Sequence, residues 1–174
     1  MASIIGVQEL QHTNGTSAMT IDSNGRILTP ARPSFFAYKA TGDSSDINYT
    51  STTQVNFDSV QHNIGNCFST SSNKFIVPVD GVYHFSWQVR MSNTTTAGYL
   101  YSALRKNGSL DWGSGLNIYA QLEDPQGGSF QAPSTSATVE LTANDEIDVA
   151  IAVNNDTTTR INNNTTFFSG FLVG

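Results

Sequence analysis

The chain has a single cysteine, Cys67, so no disulfide can close within it. That thiol is read either as a small buried hydrophobe or as a nucleophile, and the second role needs a histidine and an orienting group nearby. Basic residues are also scarce. Eight Lys and Arg stand against fourteen Asp and Glu, for a net charge of -6. Nucleic acid and anionic lipid both require a basic stripe, and none is present. No apolar run approaches the roughly 18 residues of a membrane-spanning helix. The N-terminus, Met1-Ala2-Ser3-Ile4-Ile5-Gly6, has no basic stretch leading into an apolar one. No signal peptide is expected, and synthesis is expected in a cytoplasm. Helical periodicity is missing throughout, as are a zinc pattern, a phosphate-cradling glycine loop and a nucleophile elbow.

What remains is a chain of 174 residues with only 13% charged side chains and abundant Ser, Thr and Asn. Thr favours strands, while Asn and Ser favour tight turns. A neutral polar surface of this kind suits a rigid exposed particle better than a cytosolic enzyme. The length allows one compact domain and a short extension, large enough to fold without a disulfide or a metal. Several Asn-X-Ser/Thr triplets, such as Asn93-Thr94-Thr95, read as chance products of the composition.

Residues 1–32 differ from the rest. Asn24-Gly25 between Ile21 and Ile27 predicts a hairpin with a type I′ turn. So small a segment cannot build a core alone, and it is expected to serve attachment or oligomerisation. Pro30 and Pro33 mark a boundary. From residue 33 to 174 the pattern is β. Ser34–Tyr38 reads as a strand apolar on both faces, Gln54–Asp58 as a short strand, and Lys74–Pro78 as another. In Val82–Met91 the odd positions Tyr83, Phe85, Trp87, Val89 and Met91 are apolar, which is period two over ten residues. Tyr99–Lys106, Ser136–Leu141 and Ile147–Val153 continue the series, with 109–127 and 154–164 as polar loops and a short strand near Arg160. The closing segment, Phe167–Gly174, is again apolar on both faces, with Phe167, Phe171 and Val173 on one and Phe168 and Leu172 on the other. Many short strands predict a sandwich or jelly roll.

An ordered set of motifs resembles the C1q-like family. Phe57-Asp58, Asn63-Ile64-Gly65 and Phe75-Ile76-Val77-Pro78 are similar to its first half. Gly81-Val82-Tyr83-His84-Phe85, Leu104–Gly108 and Leu141–Ile147 resemble its central elements, and Phe168–Leu172 resembles its closing strand. The resemblance spans residues 33–174. It implies an all-β, ten-stranded jelly roll of two five-stranded sheets (C1q/TNF-like). It also implies a homotrimer that serves as a binding module, not an enzyme. Phe57, Phe75, Gly81, Tyr83, Phe85 and Gly170 are the implied core of the motif. The family's collagen stalk is missing. Gly15–Ile27 is similar to a segment near the N-terminus of many bacteriophage fibre and virion proteins.

Strands with two apolar faces need a second cover, because a jelly roll has one interior face per sheet. Phe35, Phe36, Tyr38, Phe168 and Phe171 are therefore expected at a trimer interface of the obligate class, roughly 2,000 Å² or more per pair. His84 joins them, on a strand that the resemblance puts in the inner sheet, where it could titrate. Tyr99 and Tyr101 either contribute to the trimer or line the domain's own core. His12 and His62 read as solvated or strand-face residues. Asp43/Asp46 and Glu123/Asp124 read as loop charge, with no cleft between two carboxyls. No cofactor is expected. Asp145, Glu146 and Asp148, clustered at one turn, are the candidate calcium ligands.

The expected role is a bacteriophage virion structural protein: a fibre tip, a tail-associated knob or a capsid decoration. Its loops at 43–52, 92–97, 109–127 and 154–165, at one end, would face a host-envelope glycan or protein. Residues 1–32 would contact other virion proteins. The alternative is a free bacterial carbohydrate- or protein-binding module.

Overall fold

A computed structural model describes residues 6–43, 51–92, 98–123, 130–154 and 158–174. Asp46, Asp124, the Asn93 triplet, most of the expected recognition loops 43–52 and 92–97, and parts of 109–127 and 154–165 lie outside these residues. Among the described residues every regular element is a strand. Three form the N-terminal segment: β1 (Glu9–Gln11), β2 (Ser17–Ile21) and β3 (Ile27–Leu28). The body follows as β4 (Ser34–Tyr38), β5 (Thr53–Gln54), β6 (Ser59–Ile64), β7 (Phe68–Ser69), β8 (Lys74–Ile76), β9 (Gly81–Gln88), β10 (Met91–Ser92), β11 (Tyr99–Lys106), β12 (Ile118–Glu123), β13 (Ser134–Leu141), β14 (Glu146–Val153), β15 (Arg160–Ile161) and β16 (Phe167–Leu172).

Two sheets face each other. One is five-stranded, in the order β13-β9-β16-β4-β6. The other runs β12-β11-β14-β8-β7, and the short β5 pairs with β14 as a sixth strand. Of the strand expected over Gln54–Asp58 only Gln54 belongs to the two-residue β5, although Phe57 N donates to Asn73 Oδ1 at 2.8 Å and tucks the Phe57 ring inside. The long strand expected over Val82–Met91 breaks after Gln88. There the next backbone N–H groups leave the ladder: Val89 N donates to Pro133 O at 3.2 Å and Arg90 N to the Thr166 hydroxyl at 3.0 Å. Met91–Ser92 turns away to pair with β15.

Period two sorts the side chains. Tyr83, Phe85 and Trp87 of β9 point inward and are fully buried, as are Ile147, Val149, Ile151 and Val153 of β14. Phe35 holds the middle, with ring centroids 4.9 Å from Phe68, 5.1 Å from Phe75 and 4.9 Å from Phe168. Burial of each such ring contributes roughly 2–3 kcal/mol. Trp87 needs a partner for its one polar atom, and its Nε1 donates across the sandwich to Ser102 Oγ at 3.0 Å. Cys67 is buried here, and desolvation raises its thiol pKa to about 11. A thiol so fully protonated at neutral pH is a poor nucleophile, which favours the small-hydrophobe reading.

Gly170 makes this packing possible. A Cβ on it would sit 2.5 Å from Phe85 Cδ1 and 3.0 Å from Phe35 Cε1, inside rings that cannot move aside. Gly170→Ala is therefore expected to lower unfolding stability by about 1–3 kcal/mol in urea titrations. A neutral substitution would show that the core is looser than these distances require.

The N-terminal strands form a small antiparallel sheet of their own, β1-β2-β3. A hairpin joins β2 to β3, but its turn is not type I′. Gly25 has a φ of 77°, whereas Asn24 is not among the positive-φ residues. Gly25 N donates to Asp22 O at 2.9 Å, and the Asp22 carboxylate accepts from the Asn24 and Arg26 N–H groups. This is a type I turn followed by a left-handed glycine, which spans one residue more than the expected pair. Most of this small sheet is exposed.

Candidate functional site

The outer face of the five-stranded sheet carries an aromatic surface. On β4 the side chains alternate, so Phe35 and Ala37 are buried while Ser34, Phe36 and Tyr38 are half-buried on the outside. On β16 the same alternation buries Phe168 and Gly170 and turns Phe167, Ser169 and Phe171 outward. The strands are adjacent, with Phe167 opposite Tyr38 and Ser169 opposite Phe36. Phe36 and Phe167 stack at 5.4 Å with their planes 13° apart, and Phe36 and Tyr38 lie 6.3 Å apart. Phe171, opposite His84 on β9, is 43% exposed and sits 5.4 Å from the imidazole. His84 is also fixed by polar neighbours. Its Nδ1 is 3.0 Å from Thr138 Oγ1 and its Nε2 is 3.2 Å from Ser86 Oγ.

Two of the expected interface residues are therefore misplaced. Phe35 and Phe168, 1% and 0% exposed, lie wholly within the chain's own core. Each sits next in sequence to an outward aromatic, and a residue and its neighbour point to opposite faces of a strand. Phe36, Tyr38, Phe171 and His84 share the outer face, and Phe167 joins them. Of the motif residues, Phe57, Phe75, Tyr83 and Phe85 are all 0% exposed. Gly81 lies under Leu172, where a Cβ would come 2.8 Å from Leu172 Cδ1.

The carboxylates of the acidic turn do not converge on a common point. Each carboxylate already engages a different cation. Asp145 Oδ2 is 3.0 Å from Lys106 Nζ, Glu146 Oε2 is 2.5 Å from Lys74 Nζ, and Asp148 receives Arg105 in a bidentate pair at 2.7 and 2.9 Å. Gln54 Nε2 donates to Asp148 as well, at 2.9 Å. Among the described residues no group of three or more His, Cys, Asp and Glu could hold a metal ion.

Burial on its own would raise the Asp145 carboxyl. The Asn107 side chain, the Thr142 N–H and the Lys106 ammonium outweigh it and hold the group below its ordinary value. Asp58 behaves alike: burial opposes ionisation, but the Thr41 hydroxyl and the Ala40 and Thr41 N–H groups prevail. A carboxyl with a depressed folded-state pKa adds stability above its ordinary range and loses it as pH falls through the folded value. Melting temperature should therefore drop as pH falls below about 4, and Asp58→Asn with Asp145→Asn should flatten that dependence. An unchanged slope in the double variant would assign acid sensitivity to other groups.

The register also decides which loops share an end. Tyr38, Phe167 and Gln88 meet at one end of the five-stranded sheet, and Ser34, Phe171 and His84 lie toward the other. The loops that follow β4 and β9 and the one that precedes β16 thus leave from a common pole. Their described flanks touch there: Asn163 N donates to Asp43 Oδ1 at 3.0 Å, and Ser92 pairs with Arg160. The 109–117 stretch does not join them. Asn107 N donates to Glu146 O at 2.7 Å, and Ala143 N to Asp80 Oδ1 at 2.7 Å next to Gly81, which puts that turn at the opposite pole. The N-terminal segment enters at this opposite pole too. Pro33 O accepts from Leu172 N at 3.0 Å, and Arg32 Nη2 donates to Val173 O at 2.9 Å.

The expected loop 109–127 contains β12, an edge strand paired to β11 from Leu104↔Ile118 to Tyr99↔Glu123. It creates a feature that sequence reasoning missed. Tyr99 and Tyr101 belong neither to the core nor to the aromatic face described above. They lie on the outer face of the other sheet, where Tyr101 and Tyr119 rings are 5.9 Å apart. The signal was present as the alternation of Ile118, Ala120 and Leu122 with Tyr119, Gln121 and Glu123.

Comparison with solved structures agrees with this architecture. The globular domain of zebrafish complement 1qA protein superposes with a TM-score of 0.61 at 16% identity, covering 82% of this chain and 98% of that one. Murine APRIL gives 0.58 at 14% identity over 82% and 99%. Eiger TNF from S. frugiperda gives 0.58 at 10% identity over 83% and 94%. No curated protein matches the sequence. The C1q domain family model matches residues 35–173. With two facing sheets, a phenylalanine-rich core closed over Gly170 and that match along most of its length, the chain belongs to the C1q domain family, whose members are binding and structural modules and not enzymes.

Proposed function

We propose that the chain is a homotrimeric display protein of a bacteriophage particle, held by residues 1–32 and presenting its loop pole to the host surface. Trimeric assembly is typical of C1q and tumour necrosis factor-like domains. The outer face with Phe36, Tyr38, Phe167, Phe171 and His84 suits that contact, because stacked aromatics half-exposed on a single chain gain most from being covered. The observation that carries the reading is the polarity of the body. The N-terminal segment joins at one pole, while the flanks of three loops gather at the other. Three rigidly held copies would let weak contacts of those loops sum to useful avidity. The chain would be made in the host cytoplasm and would reach the cell exterior on the particle, with no nucleic acid bound and no membrane insertion.

The test is compositional. Purified particles are expected to contain this chain in a fixed ratio to the major virion protein. A version lacking residues 1–32 is expected to remain a soluble trimer that no longer joins the particle. Absence from purified particles would overturn the virion role and leave a free C1q-like binding module of bacterial origin.

A further inference from the structure

We propose that the groove between Tyr99, Tyr101 and Tyr119, on the outer face of the six-stranded sheet, binds the ring of a neutral saccharide. The proposal deepens the display reading and rests on it, since it names a ligand class and a site on the displayed module.

The groove is built on strands, not on loops. β11 and β12 are in register, with Ala103 opposite Tyr119 and Tyr101 opposite Gln121. Ala103 is 1% exposed and forms the floor, so its small side chain leaves a trough between the rings. Tyr99 and Tyr101 are 6.5 Å apart with planes only 15° from parallel, and Tyr119 is tilted by 54° to Tyr101 as a wall. The Tyr101 hydroxyl is 2.8 Å from Thr52 Oγ1, which holds that ring in place. The groove is open on one side, with a volume of about 270 Å³. That lies just below the range for drug-sized ligands, about 300–1,000 Å³, and suits one or two sugar rings.

The chemistry of the lining selects the ligand class. Aromatic faces carry negative potential, which attracts the weakly positive C–H groups on one face of a pyranose. Leu110 adds an aliphatic side chain to the lining, and Asn117 and Gln121 add carboxamides. Asn117 Nδ2 donates to Gly115 O at 3.1 Å and Gln121 Nε2 to the Glu123 carboxylate, so both side chains are oriented. Their carbonyl oxygens are acceptors suited to sugar hydroxyls. The lining contains no Asp, Glu, Lys, Arg or His. Arg105, further along the same face of β11, is locked to Asp148. A phosphate, a sulfate or an anionic sugar would find no free cation here. A protein-covered surface would look like the other sheet, where the outward rings are mostly phenylalanine.

The test uses the full chain and calorimetric and saturation-transfer NMR titrations. The probes are glucose, galactose, mannose and N-acetylglucosamine with their linear dimers, sialic acid as an anionic control and a decaproline peptide as a competing aromatic-groove ligand. At least one neutral sugar is expected to saturate one site per chain with a Kd near 1 mM, tested to about 10 mM. Tyr119→Ala should weaken it at least about tenfold, and Tyr119→Phe should stay within about threefold. Tyr119 is 51% exposed on an edge strand, so its removal should leave the fold and the trimer mass unchanged. The groove assignment falls if no neutral sugar saturates, if Tyr119→Ala binds as tightly as the parent, or if decaproline binds more tightly than every sugar. Oligomer mass and particle incorporation are read separately. Loss of either one in the parent protein sinks the display reading, whereas loss of sugar binding alone sinks only the groove.

Discussion

Phe171→Asp is expected to separate the proposed trimer into single folded chains. In one chain Phe171 is 43% exposed and touches only the His84 ring among aromatic neighbours, so a carboxylate there can stay hydrated and the strands keep their ladder. In the proposed trimer contact the same position would recur three times, shielded from water. An unpaired carboxylate costs several kcal/mol when water is removed from it. Replacing the ring also removes apolar area from the contact. The measurement is light scattering at micromolar chain concentration, with circular dichroism as the check on folding. The mass is expected to fall to one third of the parent value with the β spectrum retained, and Phe171→Leu is expected to remain trimeric. A Phe171→Asp protein that kept the parent mass would remove this face from the subunit contact.

Phe168→Ala acts on the other side of the same strand and unfolds the chain rather than the assembly. Phe168 is 0% exposed, with ring centroids 4.9 Å from Phe35, 5.7 Å from Phe85, 5.9 Å from Phe57 and 6.1 Å from Phe68. Truncation leaves a hole among rings that pack on each other and cannot all collapse into it. The expected loss is about 3–5 kcal/mol of unfolding free energy, measured by urea titration at one fixed chain concentration. Phe167→Ala, one residue away, should cost the folding of the chain far less and its association more. If Phe167→Ala were the more destabilising to folding, the assignment of faces on β16 would be reversed.

These two phenylalanines also show where sequence reasoning stops. Period two in β9 was legible because polar His84, Ser86 and Gln88 alternate with apolar Tyr83, Phe85 and Trp87. The alternation says both that the segment is a strand and which side is wet. β4 and β16 lack that contrast. Phe35-Phe36 and Phe167-Phe168 offer two rings each, and periodicity cannot say which of them faces the core. Only the pairing of β16 between β4 and β9 decides it. β6 escaped notice for the opposite reason. Ser59–Ile64 is largely polar because it is the edge of its sheet, and its backbone pairs with β4 across a bulge without an inward apolar row. β12 was hidden by the glycines and asparagine before it, which read as one continuous loop. The ion pairs of the acidic turn were not legible either, because carboxylate spacing along a strand is visible in sequence, whereas Lys74, Lys106 and Arg105 reach those carboxylates from other strands.

The placement of β16 has a consequence for biosynthesis. It comes last in sequence among the described strands, yet it occupies the middle of its sheet, between β9 and β4. Until it inserts, β4 and β9 have no hydrogen-bonded connection to each other, and the rings of Phe36 and Phe167 cannot meet. Pairing of such distant segments is the slow kind of folding step. The aromatic face of the proposed subunit contact is therefore not built until β16 has been made and has inserted between its two neighbours.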